Sequence, residues 1–249
     1  MLTFKQKLQS GQKLCGLWLG TASGYMAQIA AQSGFDWYLI DGEHGPNTVQ
    51  TMADQLLALD AYGQTSMVRV LNKDVNLVKQ VLDIGAKAVL VPMVDTKEEA
   101  ELMVRACRYP TEGIRGVGGY LIRAALWGQN PEYQAKANDE ICLITQCESK
   151  TGFENLDQIL SIKELDGVFI GPADLSANYG FESMTDPEFT KMWFDAIRRI
   201  KAAGKFAGTL TPNREYALKS FEQGADFVAV EVDVTCYLSA LKQSLAQYK

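Results

Sequence analysis

The feature that most constrains this chain is a set of eight short apolar segments that alternate with longer amphipathic ones from end to end. The apolar segments are rich in Val, Ile and Leu and show no alternation of polar and apolar residues. This pattern is typical of parallel strands that are covered on both faces. The predicted strands are residues 14–19, 37–40, 66–70, 88–94, 141–145, 167–170, 206–210 and 227–232.

The segments between these strands carry the start and stop signals of helices. Thr96 and Glu99 have the spacing of a capping box, and Asp186–Pro187 places a proline in the first turn of another helix. Glycines that end a helix just before a strand are Gly34, Gly85, Gly204 and Gly224. Eight βα units predict one domain, residues 1–249, folded as a (β/α)8 TIM barrel of the α/β class. A doubly wound open sheet is the alternative.

The composition of the chain argues against some classes of binding partner. With 47% hydrophobic and 22% charged residues, the chain of 249 residues is an ordinary globular protein. A net charge of −6 with the signs interspersed argues against nucleic acid, which requires clustered Lys and Arg. No apolar stretch approaches the ~18 residues of a membrane helix. Five scattered cysteines without a CxxC motif predict free thiols in a cytoplasmic protein.

Charged side chains are nearly absent from the bodies of the predicted strands and gather where the strands end. In a TIM barrel these carboxyl ends carry the functional residues. The strand-end polar residues are Asp41, Glu43, His44, Arg69, Gln146, Glu148 and Asp174.

Glu148 and Asp174, at neighbouring strand ends, are the predicted metal ligands. Mg²⁺ prefers oxygen ligands and often takes only one or two protein carboxylates, which leaves positions open for a 2-oxo acid. The alternative for each residue is a helix N-cap.

His44 and Arg69 are the predicted catalytic groups. A carboxylate beside His44, within Asp41-Gly42-Glu43, can fix its tautomer and make it a general base for enolising pyruvate. Arg69 ends an apolar strand and must meet an anion, either an oxyanion of the reaction or a structural carboxylate. No lysine stands at a predicted strand end, which counts against a Schiff-base aldolase.

The segment 109–140 is far longer than the usual connection and predicts a lid, an interface element or a tolerated surface loop. Its GIRGVGG sequence follows a predicted helix rather than a strand, so it does not have the structural context of a nucleotide-binding motif.

Six motifs, which together span most of the chain, resemble the HpcH/HpaI class II pyruvate aldolase family. In order they are LIDGEHGPN, VRV, LVPMVDTKEEA, RYPTEGIRGVGG, TQCESKTGFENL and FIGPADLSANYG. The resemblance implies a barrel whose C-terminal helix is exchanged between subunits of a hexamer. It also implies Mg²⁺, Mn²⁺ or Co²⁺ bound by Glu148 and Asp174, with pyruvate chelating the ion.

The resemblance further assigns roles around pyruvate. The carboxylate of pyruvate meets the backbone amides of Ala173 and Asp174, beside Gln146. Arg69 steadies the enolate oxygen, and His44, paired with Asp41, manages protons. The remaining substrate-binding residues that it implies are Leu210, Trp18 and, in a site shared between subunits, Arg123.

Three features depart from the family pattern: Gly45, where Ala is common, Glu231, where Gly is usual, and the bulky segment 119–127. The change at Gly45 is mild, and the other two are expected to reshape the aldehyde side of the pocket.

The predicted activity is reversible, metal-dependent cleavage of a 4-hydroxy-2-oxo acid into pyruvate and an aldehyde. The alternatives are a related lyase acting on a CoA ester, a decarboxylase, and a non-catalytic barrel that binds a keto acid. The predicted partners are a small-molecule substrate and further copies of the chain.

Overall fold

All eight predicted strands form in the computed structural model, which describes residues 2–249. Each strand pairs in parallel with the next, and the last pairs with the first, so the sheet closes into a barrel. The predicted TIM barrel is therefore confirmed, and the open sheet is wrong. The strands are β1 (Leu14–Leu19), β2 (Trp37–Asp41), β3 (Ser66–Arg69), β4 (Ala88–Val91), β5 (Cys142–Cys147), β6 (Gly167–Ile170), β7 (Phe206–Leu210) and β8 (Phe227–Val232).

The helices lie between the strands and begin where the sequence places caps. Thr96 caps its helix through the Glu99 amide, and the Asp186 side chain accepts from the amides of Glu188 and Phe189. The α-helices are α1 (Phe4–Gln9), α2 (Gly24–Ala30), α3 (Val49–Ala61), α4 (Val75–Asp83), α5 (Lys97–Cys107), α6 (Tyr133–Glu140), α7 (Lys150–Glu154), α8 (Leu156–Leu160), α9 (Pro172–Asn178), α10 (Pro187–Ala202), α11 (Arg214–Glu222) and α12 (Asp233–Ala246). Two 3-10 turns, Gly119–Leu121 and Arg123–Gly128, precede α6.

The capping box predicted at Thr96 is only half formed. The Glu99 carboxylate accepts from the amide of Asp95 and from Lys73 instead of turning back to the amide of Thr96. A charged partner from another loop is available to Glu99, so the tertiary contact replaces the local one.

Glycines and aromatic rings fill the inside of the barrel together. A Cβ on Gly16 would lie 2.1 Å from the Trp37 ring, and one on Gly208 would lie 2.2 Å from the Phe227 ring. Phe4 of α1 contacts the same two aromatic residues from below, with ring centroids at 5.5 and 5.2 Å. Because Phe4 is 1% exposed, α1 closes the amino end of the barrel.

Two parts of the surface carry large apolar side chains without cover in this chain. The segment 119–128 exposes Tyr120, Leu121, Leu126 and Trp127, and α12 exposes Tyr237, Leu238, Leu241 and Leu245. The exchange of α12 between subunits stays a prediction. Across residues 2–249, no helix combines the length and apolar character that a membrane span requires.

Candidate active site

A cleft of about 470 Å³ opens at the carboxyl end of the barrel. Its polar half comes from β2, β3, β5 and β6 with the loops that follow them, and its apolar half from β7, β8 and β1. The residues around it are Trp18, Gly20, Asp41, His44, Gly45, Arg69, Gln146, Glu148, Phe169, Gly171, Pro172, Ala173, Asp174, Met184, Leu210, Val232 and Val234. The closed barrel thus brings together strand ends as far apart in sequence as Trp18 and Val232.

Asp41 and Arg69 form a buried pair at the floor of the polar half. Arg69 Nε donates to Asp41 Oδ1 at 2.8 Å, and Nη2 donates to Oδ2 at 2.7 Å. Trp18 Nε1 adds a third bond to Oδ2 at 3.0 Å, and the Arg69 guanidinium lies 4.7 Å from the Trp18 ring centroid. Burial alone would raise the pKa of Asp41, but the bonds from Arg69 and Trp18 outweigh it and lower the pKa. Asp41 therefore stays an anion that fixes the Arg69 fork.

His44 meets a different carboxylate from the one that the resemblance implied. The Asp41 carboxylate accepts from the backbone amide of His44 at 3.3 Å, whereas the His44 imidazole Nε2 lies 3.9 Å from Glu43 Oε2. Glu43 Oε2 also lies 2.6 Å from Arg69 Nη1, without hydrogen-bond geometry. The pairing of the imidazole with Asp41 is thus corrected, because five donors already occupy that carboxylate.

Glu43 and His44 differ sharply in exposure. The Glu43 side chain is 16% exposed, and burial raises its pKa against the opposing charge of Arg69. The His44 side chain is 70% exposed and can therefore approach a substrate from the mouth of the cleft.

Glu148 is buried and held at both oxygens. Its Oε1 accepts from the Met93 amide at 2.8 Å, and its Oε2 accepts from Gln146 Nε2 at 2.7 Å. Burial, together with the charges of Glu43 and Asp174, raises the pKa of Glu148 to about 7 against the bond from Met93. Ser149 caps α7, so Glu148 is not the helix cap that was the alternative for it.

Asp174 lies in the first turn of α9 on the same side of the cleft. Gly171 occupies the cap position of α9, and the Asp174 carboxylate caps nothing. The helix-cap alternative is therefore wrong for Asp174 as well. A Cβ on Gly171 would lie 2.6 Å from Glu148 Oε2, so only glycine lets the turn before Asp174 approach Glu148 this closely.

The donor set of the cleft fits a hard divalent cation. Glu148 and Asp174 supply carboxylate oxygens, and their proximity disfavours two bare negative charges. Gln146 Oε1 is buried without a hydrogen-bond partner beside them, as expected where a donor such as a metal-associated water is missing. Within residues 2–249, no cluster of three or more His, Cys, Asp or Glu could hold a metal. Mg²⁺ often takes only one or two protein carboxylates and keeps several waters, so a pair of carboxylates is compatible with it.

The apolar half offers shape and little charge. Trp18, Leu210, Val232 and Val234 come from β1, β7, β8 and the start of α12, and Met184 lies in the connection before α10. No lysine or arginine stands in this half of the cleft within the described chain. It therefore accommodates an apolar group better than a second carboxylate.

Three sequence expectations fall outside the cleft. Arg123 bonds the Ile84 carbonyl at 2.9 Å and Asp60 Oδ2 at 2.6 Å, near the amino end of β4, so it does not line the cleft of its own chain. Its place in a site shared between subunits stays a prediction. Glu231 accepts from Cys236 Sγ at 3.3 Å, and neither it nor the segment 119–127 contributes to this cleft. Neither therefore lines the aldehyde side within one chain, and their expected effect on it stays a prediction.

Sequence reasoning missed Met93, Met184, Val232 and Val234. Met93 acts through its backbone amide, which leaves no sign in the sequence. Val232 and Val234 could have been predicted, because β8 ends there and apolar residues at a strand end can line a cleft as polar ones do.

Known proteins resemble this chain in both sequence and structure. The model of the HpcH/HpaI aldolase/citrate lyase family matches residues 14–240. A 2-keto-3-deoxy-L-rhamnonate aldolase from Escherichia coli is 50% identical over 247 residues, which are 99% of this chain and 92% of that protein.

Solved structures agree with the sequence matches. An HpcH/HpaI aldolase/citrate lyase family protein from Burkholderia cenocepacia is 34% identical with a TM-score of 0.93, covering 98% of both chains. An HpcH/HpaI aldolase from Desulfitobacterium hafniense is 26% identical with a TM-score of 0.90, covering 100% of this chain and 97% of that one.

Proposed function

Because this chain belongs to the HpcH/HpaI aldolase/citrate lyase family, we propose that its cleft performs metal-dependent aldol chemistry with Glu148 and Asp174 as ligands. The protein is a carbon–carbon lyase that cleaves a 4-hydroxy-2-oxo acid into pyruvate and an aldehyde. The observation that carries the proposed site is the meeting of Glu148, Asp174, Arg69 and His44 in one cleft.

The reaction requires one proton to leave and one to arrive. In cleavage, the 4-hydroxyl group loses its proton, the C3–C4 bond breaks, and its electron pair moves to the C2 carbonyl oxygen as an enolate. Protonation at C3 then gives pyruvate. The protein must therefore stabilise negative charge at C2 and provide a group that exchanges protons near C3 and C4.

We assign the charge stabilisation to Arg69 and the proton transfer to His44. An arginine has five N–H donors, and the contacts with Asp41 and Glu43 leave others directed to a ligand. Since Asp41 fixes the guanidinium before substrate arrives, Arg69 needs little reorganisation during the reaction. His44, three residues after Asp41, lines the cleft from the exposed rim of the barrel.

Glu148 and Asp174 would hold Mg²⁺, Mn²⁺ or Co²⁺, which when bound polarises a ketone and stabilises the adjacent enolate. In this arrangement the carboxylate of pyruvate meets the backbone amides of Ala173 and Asp174, beside Gln146.

The substrate that we propose is 2-keto-3-deoxy-L-rhamnonate, on which the relative from Escherichia coli is named as acting. Cleavage of this six-carbon acid between C3 and C4 leaves a three-carbon hydroxyaldehyde that ends in a methyl group. Leu210, Val232 and Val234 offer that methyl group an apolar surface, with Trp18 beside them. An aldehyde ending in a carboxylate finds no basic partner in this half of the described chain.

The test combines metal removal with a half-reaction. Chelator-treated protein should exchange the C3 protons of pyruvate with deuterated water only after Mg²⁺, Mn²⁺ or Co²⁺ is restored, as followed by NMR. Glu148→Gln should fail to recover, whereas Glu154→Gln, on α7, should recover fully. Exchange that survives chelation, or a fully active Glu148→Gln variant, would contradict the metal site.

The same experiment separates the alternatives. A pyruvate aldolase exchanges these protons without an aldehyde, and then condenses pyruvate with lactaldehyde to a product of the expected mass. A barrel that only binds a keto acid shows neither result.

The assembly that we propose is a homo-oligomer, specifically a hexamer, in which other copies cover the apolar face of α12. The exposed Tyr237, Leu238, Leu241 and Leu245 support it. Light scattering on the purified chain measures the mass directly, and a monomer would contradict it.

A further inference from the structure

The loop after β4 contains a residue in an unfavourable backbone conformation next to the site. Met93 has a φ of +52°, in the left-handed region that residues with a bulky side chain rarely occupy. Such conformations persist only where surrounding contacts enforce them, and they collect at functional sites.

Both backbone polar groups of Met93 are bonded to other loops. Its N–H donates to Glu148 Oε1 at 2.8 Å, and its carbonyl accepts from Lys73 Nζ at 2.7 Å. Lys73 stands between β3 and α4, whereas Glu148 follows β5. The Met93 peptide therefore links a surface lysine to a proposed metal ligand.

Lys73 is itself held in place. Its Nζ lies 2.7 Å from Glu99 Oε1, and the other oxygen of Glu99 accepts from the Asp95 amide at 2.8 Å. Ser149, the residue after Glu148, donates to Asp95 Oδ1, and Asn155 Nδ2 donates to the Asp95 carbonyl at 2.8 Å. Three successive βα loops are thus joined around the conformation of Met93.

Lys73 has no direct contact with the cleft. It does not line the cavity, and its side chain is 30% exposed. Its effect on the site must pass through Met93 and so through the orientation of the Glu148 carboxylate.

We propose that Lys73 is a positioning residue that sets the affinity of the Glu148 site for a divalent cation, by holding Met93 in its left-handed conformation. This inference rests on the proposed function, because it concerns the same carboxylate. Partners that orient a metal ligand typically contribute about 10- to 100-fold in metal affinity when removed.

The test measures Mn²⁺ binding to the full-length protein by titration calorimetry, and by electron paramagnetic resonance of free Mn²⁺, without substrate. Lys73→Met should weaken binding by roughly 10- to 100-fold. Lys97→Met is the matched control, because Lys97 lies on nearby α5 and only approaches Glu101, at 3.8 Å on the surface. It should bind Mn²⁺ as the unmodified protein does.

A second pair of variants isolates the route. Glu99→Gln, which keeps the shape of the side chain, should weaken Mn²⁺ binding in the same direction as Lys73→Met. Adding Met93→Gly to Lys73→Met should recover affinity, because glycine occupies positive φ without strain. If the double variant does not recover Mn²⁺ affinity, the idea that Lys73 acts through Met93 is overturned.

The result that overturns the proposal is normal Mn²⁺ affinity in folded Lys73→Met when Glu148→Gln no longer binds the ion. Normal Mn²⁺ binding in Glu148→Gln would overturn the proposed metal site instead. The two failures are therefore distinguishable, and circular dichroism with thermal melting verifies that each variant is folded.

Discussion

The two halves of the cleft are built on the same eight strands but hold their side chains very differently. In the polar half, Asp41, Arg69 and Glu148 each make two or more side-chain hydrogen bonds and are almost fully buried. In the apolar half, Leu210 and Val232 are only in van der Waals contact with their surroundings. Groups that must match a charge developing in the reaction need fixed orientations, whereas a surface that selects an aldehyde by shape does not. The difference predicts that substitutions in the polar half change the rate of reaction and those in the apolar half change which aldehyde is accepted.

The largest effect is expected at His44. A positioned general base contributes typically about 10²- to 10⁴-fold, so His44→Gln should slow C3 proton exchange of pyruvate by that order. Because Glu43 rather than Asp41 faces the imidazole, Glu43→Gln should also slow exchange, by a smaller factor. The measurement is NMR of pyruvate in deuterated water. Near-normal exchange in His44→Gln would contradict the assignment of His44 as the general base.

Arg69 is expected to show the next largest effect. Arg69→Lys keeps the charge but loses the two parallel bonds to Asp41, so the oxyanion partner loses its orientation. Removal of one such donor costs roughly 10²- to 10³-fold in kcat, which a cleavage assay would follow.

A matched variant shows whether that loss is specific. Arg198→Lys changes an exposed arginine that contacts Asp195 and Gln223 on the outside of the barrel, and it should keep full activity. An equal loss of kcat in both variants would point to a general effect of the substitution.

The apolar half should give a smaller effect of a different kind. Leu210→Ala opens space beside the aldehyde, so the ratio of kcat/KM for larger apolar aldehydes to that for lactaldehyde should rise by about 10- to 200-fold. Proton exchange of pyruvate should change far less, because its partners lie in the other half. The control is Leu57→Ala, which changes an exposed residue of α3. A Leu210→Ala variant that loses exchange as strongly as His44→Gln would end the distinction between the halves.

Most of the barrel could be predicted because its strands are covered on both faces. Each strand coincides with an apolar run, and Gly85, Gly204 and Gly224, which have positive φ, directly follow the caps of the preceding helices as expected. Gly34 also has positive φ but lies three residues past Ala31, the cap of α2, so the prediction that it ends that helix is wrong. The end of β4 was placed three residues too late, since Pro92, Met93 and Val94 continue the apolar run while turning into a loop. The hydrophobicity of these three residues predicts burial, but it does not indicate that the chain leaves the strand direction at Pro92.

The candidate site was predictable as far as the closed barrel dictates it. Once the strands are in order, Asp41, Arg69, Gln146 and Glu148 must meet at one end. The partner of the His44 imidazole was not predictable, because Asp41 and Glu43 are both close to His44 in sequence. Which carboxylate faces the imidazole depends on the bonds from Arg69 and Trp18 that occupy Asp41, and these come from other strands. The place of Arg123 depends on contacts across the fold with Asp60 and Ile84, 63 and 39 residues away in sequence.

The closure of the amino end of the barrel by Phe4 and α1 has a consequence for the order in which substrates bind. Because Phe4, Trp37 and Phe227 fill that end, substrates and products enter and leave only at the carboxyl end, past the rim where His44 lies. In the proposed arrangement the three-carbon acid would lie deepest, against Glu148 and Gln146, with the aldehyde between it and solvent. We therefore expect ordered kinetics of condensation, in which the acid binds first and leaves last.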